Sequence, residues 1–264
     1  MRKKEVEIKV GCCGFPVARA RYQERFSLVE VQQTFYQPPR EETARKWRSA
    51  APSGFEFTVK AWQLITHEAT SPTYRRLKRL PTCHPGRYGS FRPTEEVMAA
   101  WRTTARIADI LEARVVLFQC PASFTPTSEH RENMHDFFSR IDRGNLLLAW
   151  EPRGHWPPEE VSTLCRDLGL IHCVDPFQGE SMSGELTYFR LHGRVGYRYR
   201  YGGEDLVFVA GKARARGVPA YVLFNNISMF DDACRFSDLV GGEHAAEAPR
   251  SGRDGERKNS PPSP

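Results

Sequence analysis

The chain has no long apolar run. Its opening, MRKKEVEIKV, alternates charge with aliphatic side chains and offers nothing like the unbroken stretch of a signal peptide or membrane helix. A cytoplasmic protein with no membrane partner is therefore expected. Cys-x-x-Cys spacing is also missing, and the seven cysteines are odd in number. That excludes a fully paired disulfide framework and leaves reduced thiols as the default. No His-Glu-x-x-His motif is present, so any metal site would have to be assembled from separate parts of the chain. Residues 241–264 contain no aliphatic side chain larger than alanine and are rich in Gly, Pro, Ser and charge, too little apolar surface to offset the entropy of ordering. They are expected to form a disordered polar tail behind a single domain spanning residues 1–240.

What is present fits one large core: 264 residues, 40% hydrophobic and 27% charged. The net charge of +6 favours polyanionic partners without proving one. Most of the excess is local. From Thr66 to Pro93, six cations (Arg75, Arg76, Lys78, Arg79, Arg87, Arg92) stand against the single acid Glu68, a balance of +5.

Eight short apolar or β-branched runs recur along the chain: 6–10, 28–31, 55–62, 115–120, 146–151, 170–175, 187–192 and 220–226. Helix signals fill most gaps. Val97, Trp101, Ala105, Ala108 and Leu111 follow a Thr94 cap at helical spacing, and Val161, Leu164, Cys165 and Leu168 follow Pro157, Pro158 and two acids. Strand alternating with helix eight times predicts an α/β fold, a single (β/α)8 TIM-type barrel with a long basic loop after the third strand. A doubly wound open sheet is the competing architecture.

In such a barrel, function gathers where strands end, on the βα-loop face. Each run ends in polar residues: Cys12 and Cys13, Glu30, Lys60 with His67, Gln119, Glu151 with Arg153, Asp175, Arg190 with His192, and Asn225 with Asn226. Strand parity puts Glu30 with Leu28, Glu151 with Leu147 and Ala149, and Asp175 with Ile171 and Cys173, all facing inward. His172 falls on the opposite face, as a hydrogen-bonded structural residue.

The segments FSLVEVQQTFYQPP, FEFTVKAWQLITH, VVLFQCPASF, AWEPRGHW, FRLHGR with YRYRYGG, and YVLFNN resemble, in that order, the signature segments of the YecE-like family, a domain of unknown function. The resemblance spans roughly residues 8–240 and implies a TIM-type barrel with no established activity. It also implies that Glu30, Lys60, His67, Gln119, Glu151, Arg153, Asp175, Arg190, His192 and Asn225 occupy positions the family keeps polar. The first loop, GCCGFP, departs from the longer family stretch, and Gln32 and Gln33 stand where Asn-Ser is common, marking a divergent branch.

Several chemistries compete for this rim. Paired carboxylates would suit glycoside hydrolysis, but Glu30 and Glu151 sit on well-separated strands. Lys60 could form a Schiff base, or simply brace the rim in an ion pair with Glu30 or Glu151. Glu30, His67, Glu151, Asp175 and His192 could supply a divalent metal, although the neighbouring cations oppose it. Arg153, Arg190 and Lys60 favour an anion. From Thr187 to Gly203 tyrosines and arginines interleave without an acid, so Tyr197, Arg198 and Tyr201 are candidates for stacking bases and neutralising phosphates. Cys12 and Cys13 are expected to pack.

The expectation is a barrel that binds a phosphate-bearing ligand, foremost nucleic acid, and that could hydrolyse a phosphodiester. Glu30 or Glu151 would act as base or metal ligand, His192 as acid, Lys60, Arg153 and Arg190 as clamps, with Asp175 also catalytic and His67, Gln119 and Asn225 binding. A non-catalytic nucleic-acid-binding module and an acid–base enzyme for a sugar or sugar phosphate are the alternatives. No protein partner is expected.

Overall fold

The computed structural model describes residues 6–78 and 84–247. Its strands are β1 (Ile8–Cys13), β2 (Leu28–Val31), β3 (Glu56–Lys60), β4 (Val115–Gln119), β5 (Leu147–Glu151), β6 (Leu170–Val174), β7 (Thr187–Leu191) and β8 (Ala220–Phe224). They close into a barrel in chain order, with β8 pairing back to β1 and every neighbouring pair parallel. The helices are α1 (Arg19–Gln23), α2 (Gln33–Tyr36), α3 (Glu41–Ser49), α4 (Gln63–Thr66), α5 (Glu95–Ile110), α6 (Ser128–Arg140), α7 (Pro158–Asp167), α8 (Gly203–Ala215) and α9 (Met229–Glu247). This is the α/β barrel the alternating runs predict; the open sheet is excluded by closure. No helix among the described residues is long and apolar enough to cross a membrane.

Local chemistry explains the helices that pack outside. In α5, Thr94 Oγ1 accepts the Val97 amide (3.3 Å), two acids occupy the first turn, and Val97, Trp101, Thr104, Ile107 and Ala108 form the buried face. In α7, Pro158 occupies the first turn, where a missing N–H costs nothing, and Gly169 ends the segment at φ +63°. β1 runs three residues beyond the expected 6–10, because Gly11, Cys12 and Cys13 pair with Leu28, Val29 and Glu30. Likewise α9 continues past the expected domain end at 240 to Glu247, through Gly241 and Gly242 into Glu243, Ala245, Ala246 and Glu247, which are good helix formers. The rest of the expected tail lies outside the described residues, as do Arg79 and Cys83.

Period-two alternation produces two cores. Leu28, Leu117, Ala149, Cys173, Tyr188 and Leu223 fill the barrel, while Val29, Val116, Phe118, Trp150 and Phe224 face the helices. The adjacent Cys12 and Cys13 therefore point to opposite sides. Both are buried free thiols whose pKa burial pushes up, and Cys12 Sγ donates to the Met229 carbonyl (3.4 Å). Each packs in its own core, Cys12 in the outer and Cys13 in the barrel interior. His172 is likewise structural: buried, held neutral mainly by burial with a pKa near 4, and accepting the Met182 amide at Nδ1 (3.3 Å).

One close approach sets the loop after β5. A Cβ on Gly154 would lie 2.3 Å from the Phe124 carbonyl oxygen and 3.0 Å from that of Ala122. The same Phe124 oxygen accepts the Trp156 indole N–H (2.7 Å), so this contact docks the Arg153 loop on the loop after β4. Gly154→Ala should cost about 2–4 kcal/mol, as overpacking against backbone does. A thermal melt of the variant matching that of the parent protein would refute the close approach.

Candidate functional site

Arg190 stands at the centre of the barrel mouth. It shares strand parity with Tyr188, so β7 aims both side chains inward, and Arg190 is fully buried. Its Nη2 donates to Glu30 Oε1 (2.9 Å), and its Nη1 donates to Glu151 Oε2 (2.5 Å) and Gln119 Oε1 (3.2 Å). The remaining carboxylate oxygens are also taken. Tyr188 donates to Glu30 Oε2 (2.9 Å), and Arg153 Nη2 pairs with Glu151 Oε1 (2.7 Å). Burial alone would raise the Glu151 pKa, but the charges of Arg190 and then Arg153, with Lys60 beyond them, outweigh it and bring it down to about 2. Although burial opposes a charged guanidinium, Glu151 and Glu30 hold Arg190 protonated.

Arg153 Nη2 also donates to His192 Nε2 (2.6 Å). A guanidinium can only donate, so Nε2 accepts and the ring is neutral, its Nδ1–H donating to the Arg190 carbonyl (2.8 Å). The expected acid His192 is in this arrangement an acceptor. Asp175 braces the loops: Oδ1 accepts the Phe177 amide (3.1 Å) and Oδ2 the His192 amide (3.0 Å). Glu30 and Glu151, expected as base or metal ligand, stand here as the anionic partners of Arg190, with each of their oxygens in contact with a donor. Among the described residues no group of three or more His, Cys, Asp or Glu could hold a metal ion.

Above this network lies a pocket of about 390 Å³. Lys60, His67, Gln119, Arg153, Arg190, His192 and Asn225 line it, seven of the residues expected at the rim. Phe35, Tyr36, Gln32 and Thr73 complete its sides together with Cys120, Pro121 and Ala122. His67 is kept neutral, mainly by burial and then by Lys60, with a pKa near 3; its Nδ1 bonds Thr66 Oγ1 (2.8 Å). Gln32 Nε2 bridges the Cys13 carbonyl (2.8 Å) and Asn225 Oδ1 (3.0 Å), tying the loops after β1, β2 and β8.

The expected ion pair of Lys60 with Glu30 or Glu151 does not form, because Arg190 occupies both carboxylates. Lys60 is 5% exposed, with Nζ 3.7 Å from the centre of the Phe35 ring. Burial, and then the charge of Arg190, lower its pKa to about 7 despite Glu30, Glu151 and Cys13.

The proposed base-stacking surface is largely dismantled. Tyr201 is 1% exposed in the outer core and its hydroxyl accepts the Gly193 amide (2.7 Å), so it is not a ligand contact. Tyr199 donates to Asp205 (2.6 Å), Tyr74 donates to the His67 carbonyl (2.7 Å), and Tyr88 is buried. Tyr197 and Arg198 are exposed but do not line the pocket. In the basic loop, Arg92 pairs with Glu68 and Arg87 with Glu96, while Arg76 lies over the Tyr36 ring at 4.5 Å. Sequence reasoning missed Tyr188 as a buried anchor of Glu30, although the parity test applied to other runs finds it. It also missed Phe35, whose position beside Lys60 carries no sequence signal.

Residues 18–253 match the family described as protein of unknown function DUF72, which is the family of the YecE-like resemblance. The UPF0759 protein YunF of Bacillus subtilis (strain 168) is 26% identical over 271 residues, covering 87% of this chain and 88% of that protein. A DUF72 family protein (EF0366) from Enterococcus faecalis V583 superposes with a TM-score of 0.70 at 19% identity, over 90% of this chain and 98% of that one. Endonuclease IV from Thermus thermophilus superposes with a TM-score of 0.53 at 14% identity, over 91% and 100%, a likeness of fold alone.

Lys60 generates a pH-dependent stability difference. Its folded pKa, about 7, lies below the ordinary 10.5. The penalty is full below pH 7 and vanishes above pH 10.5, where the unfolded chain also loses the proton. Lys60→Met should therefore stabilise the protein at pH 7 by a few kcal/mol, on the order of 4. Denaturant titrations of both proteins should show that gain shrinking as the pH approaches 10.5. A gain independent of pH would mean that Lys60 titrates normally.

Proposed function

Since the chain belongs to the DUF72 family of proteins of unknown function, membership brings no activity, and we propose from the site itself that the rim pocket binds a small phosphate-bearing ligand. The observation that carries this reading is the sign of the wall. Lys60, Arg153 and Arg190 line the pocket and no carboxylate does, because Glu30 and Glu151 are held beneath it. The partly exposed Arg153 guanidinium matches phosphate oxygens, the buried charge of Arg190 adds to the field, Lys60 adds a point charge, and the amides of Gln32, Gln119 and Asn225 suit the hydroxyls or carbonyls of the remainder. The volume fits a compact ligand rather than a polymer.

A second reading keeps nucleic acid as the source of the phosphate. It is favoured by the exposed Tyr197, Arg198 and Arg200 after β7 and by Arg75, Arg76 and Lys78 in the loop after β3, which could neutralise a backbone crossing the rim. It ranks second because Tyr74, Tyr88, Tyr199 and Tyr201 in these two loops are packed or hydrogen-bonded within the protein rather than open to stack on bases. Phosphodiester hydrolysis is left out, since Glu151 with a pKa near 2 is a weak base.

Calorimetric titration with inorganic phosphate, a nucleoside monophosphate and an oligonucleotide, repeated across salt concentrations, tests both readings. Arg153→Met should weaken binding of the small anions by about tenfold to a hundredfold, the worth of a charge-assisted hydrogen bond. Replacing Arg198 and Arg200 together by alanine should spare them and weaken only the oligonucleotide. If the intact protein shows no heat with phosphate at low salt, the pocket is not a phosphate site.

A further inference from the structure

A buried lysine with no counter-ion is costly to keep as a cation, and at this rim the available carboxylates belong to others. Arg190 and Arg153 satisfy Glu151, while Arg190 and Tyr188 satisfy Glu30. Among the described residues Lys60 forms no ion pair, and its Nζ meets the face of Phe35 at the pocket wall. Its backbone is pinned, because Thr34 Oγ1 donates to the Lys60 carbonyl (2.6 Å) and the Ala61 amide donates to Leu117 (2.8 Å). The amine is therefore held in one place, desolvated, and directed to a cavity whose remaining wall recognises an anion.

We propose that Lys60 is a nucleophile that forms a Schiff base with the aldehyde or ketone group of a small phosphorylated carbonyl compound bound in this pocket. The proposal rests on the phosphate reading and adds the second functional group of the ligand. Arg153, partly exposed at the pocket wall, holds the phosphate end, with the buried charge of Arg190 behind it, leaving the carbonyl for Lys60.

The chemistry balances without a co-reactant. The ammonium gives up a proton, the Nζ lone pair adds to the carbonyl carbon, and the carbonyl π electrons move to oxygen, which takes up that proton. The carbinolamine then expels its hydroxyl with a second proton from nitrogen, so an ammonium and a carbonyl become an iminium and one water. Burial and the charge of Arg190 keep the amine available near neutral pH, against the opposing pull of Glu30, Glu151 and Cys13. His67, which also lines this wall, stays neutral and adds no charge. The face of Phe35 that meets the ammonium would meet the iminium equally well.

The test is reductive trapping on the full chain. The protein is incubated with glyceraldehyde 3-phosphate and sodium cyanoborohydride near pH 7.5, and the adduct is located by peptide mass mapping. Lys60 should be modified at least about tenfold faster than the exposed Lys46 and Lys78, inorganic phosphate should suppress the modification, and Lys60→Met should abolish the fast adduct. The trapping on unaltered protein stands whether or not the variant folds. If glyceraldehyde without its phosphate labels Lys60 equally fast, the amine is nucleophilic but the phosphate reading fails. If calorimetry shows phosphate binding while Lys60 reacts no faster than Lys46, the Schiff base is overturned and the phosphate reading stands. The absence of both phosphate binding and fast labelling overturns both readings.

Discussion

A guanidinium with no solvent contact at the centre of a barrel mouth is the constraint from which the rest of the site follows. Moving an unpaired cation of that size out of water costs several kcal/mol even after the protein relaxes, so Arg190 is tolerable only with both Glu30 and Glu151 against it. Those two carboxylates come from β2 and β5, Gln119 from β4 and Arg190 itself from β7, so one side chain ties four strands at the level where the loops begin. Removing one partner would strand the other charges in a medium that cannot hydrate them. Such a cluster specifies the geometry of the mouth more than it adds stability, since well-packed apolar residues could fill the same volume at no greater cost.

The chemical character of the pocket comes from how that cluster allocates its partners. Two carboxylates face three cations, and Arg190 takes an oxygen from each carboxylate, leaving Arg153 one oxygen of Glu151 and Lys60 nothing. Because Arg153 also donates to His192, the imidazole is fixed in the tautomer that presents an acceptor rather than an acid. Glu30 and Glu151 are turned to Arg190 and its neighbours, and His192 Nε2 to Arg153, so the acidic groups of the mouth face one another's partners rather than the cavity. What the wall still offers is positive charge, amide groups and one unpaired amine.

Much of this fold was readable from residues alone, and the reason is physical. Alternation along strands and three- to four-residue spacing along helices are local properties, set by Cβ direction. Hence the parity of Glu30 and Glu151 with inward aliphatic residues predicted the direction in which they meet Arg190, whereas Asp175, beyond the end of β6, accepts loop amides. Partner choice across the barrel is not local. Which of Lys60 and Arg190 captures the carboxylates depends on how eight strands stagger around the axis, and no spacing along the chain encodes it. Composition misled for a related reason. The interval from Thr187 to Gly203 holds no acid, yet Asp205, just inside α8, accepts from both Arg194 (3.0 Å) and Tyr199 (2.6 Å). The excess charge of the loop after β3 is likewise drawn down by Glu96 on the following helix.

The distinction between exposed and buried cations bears directly on what this rim can recognise. Exposed arginines such as Arg198 and Arg200 act through water, where an ionic atmosphere screens them within roughly 10 Å at ordinary salt. Lys60 and Arg190 act across a poorly screened cavity, and their positions are set by packing and ion pairs rather than by side-chain search. Attraction of the first kind gathers polyanions without regard to structure; attraction of the second kind is felt only by a group small enough to enter. A ligand of one or two charges that fits within the pocket gains most from the buried pair, whereas a polymer held at the surface gains little from it. The buried cluster thus selects by size as much as by charge, and an amine kept unpaired within it is positioned to meet whatever part of that small ligand lies beyond its anionic end.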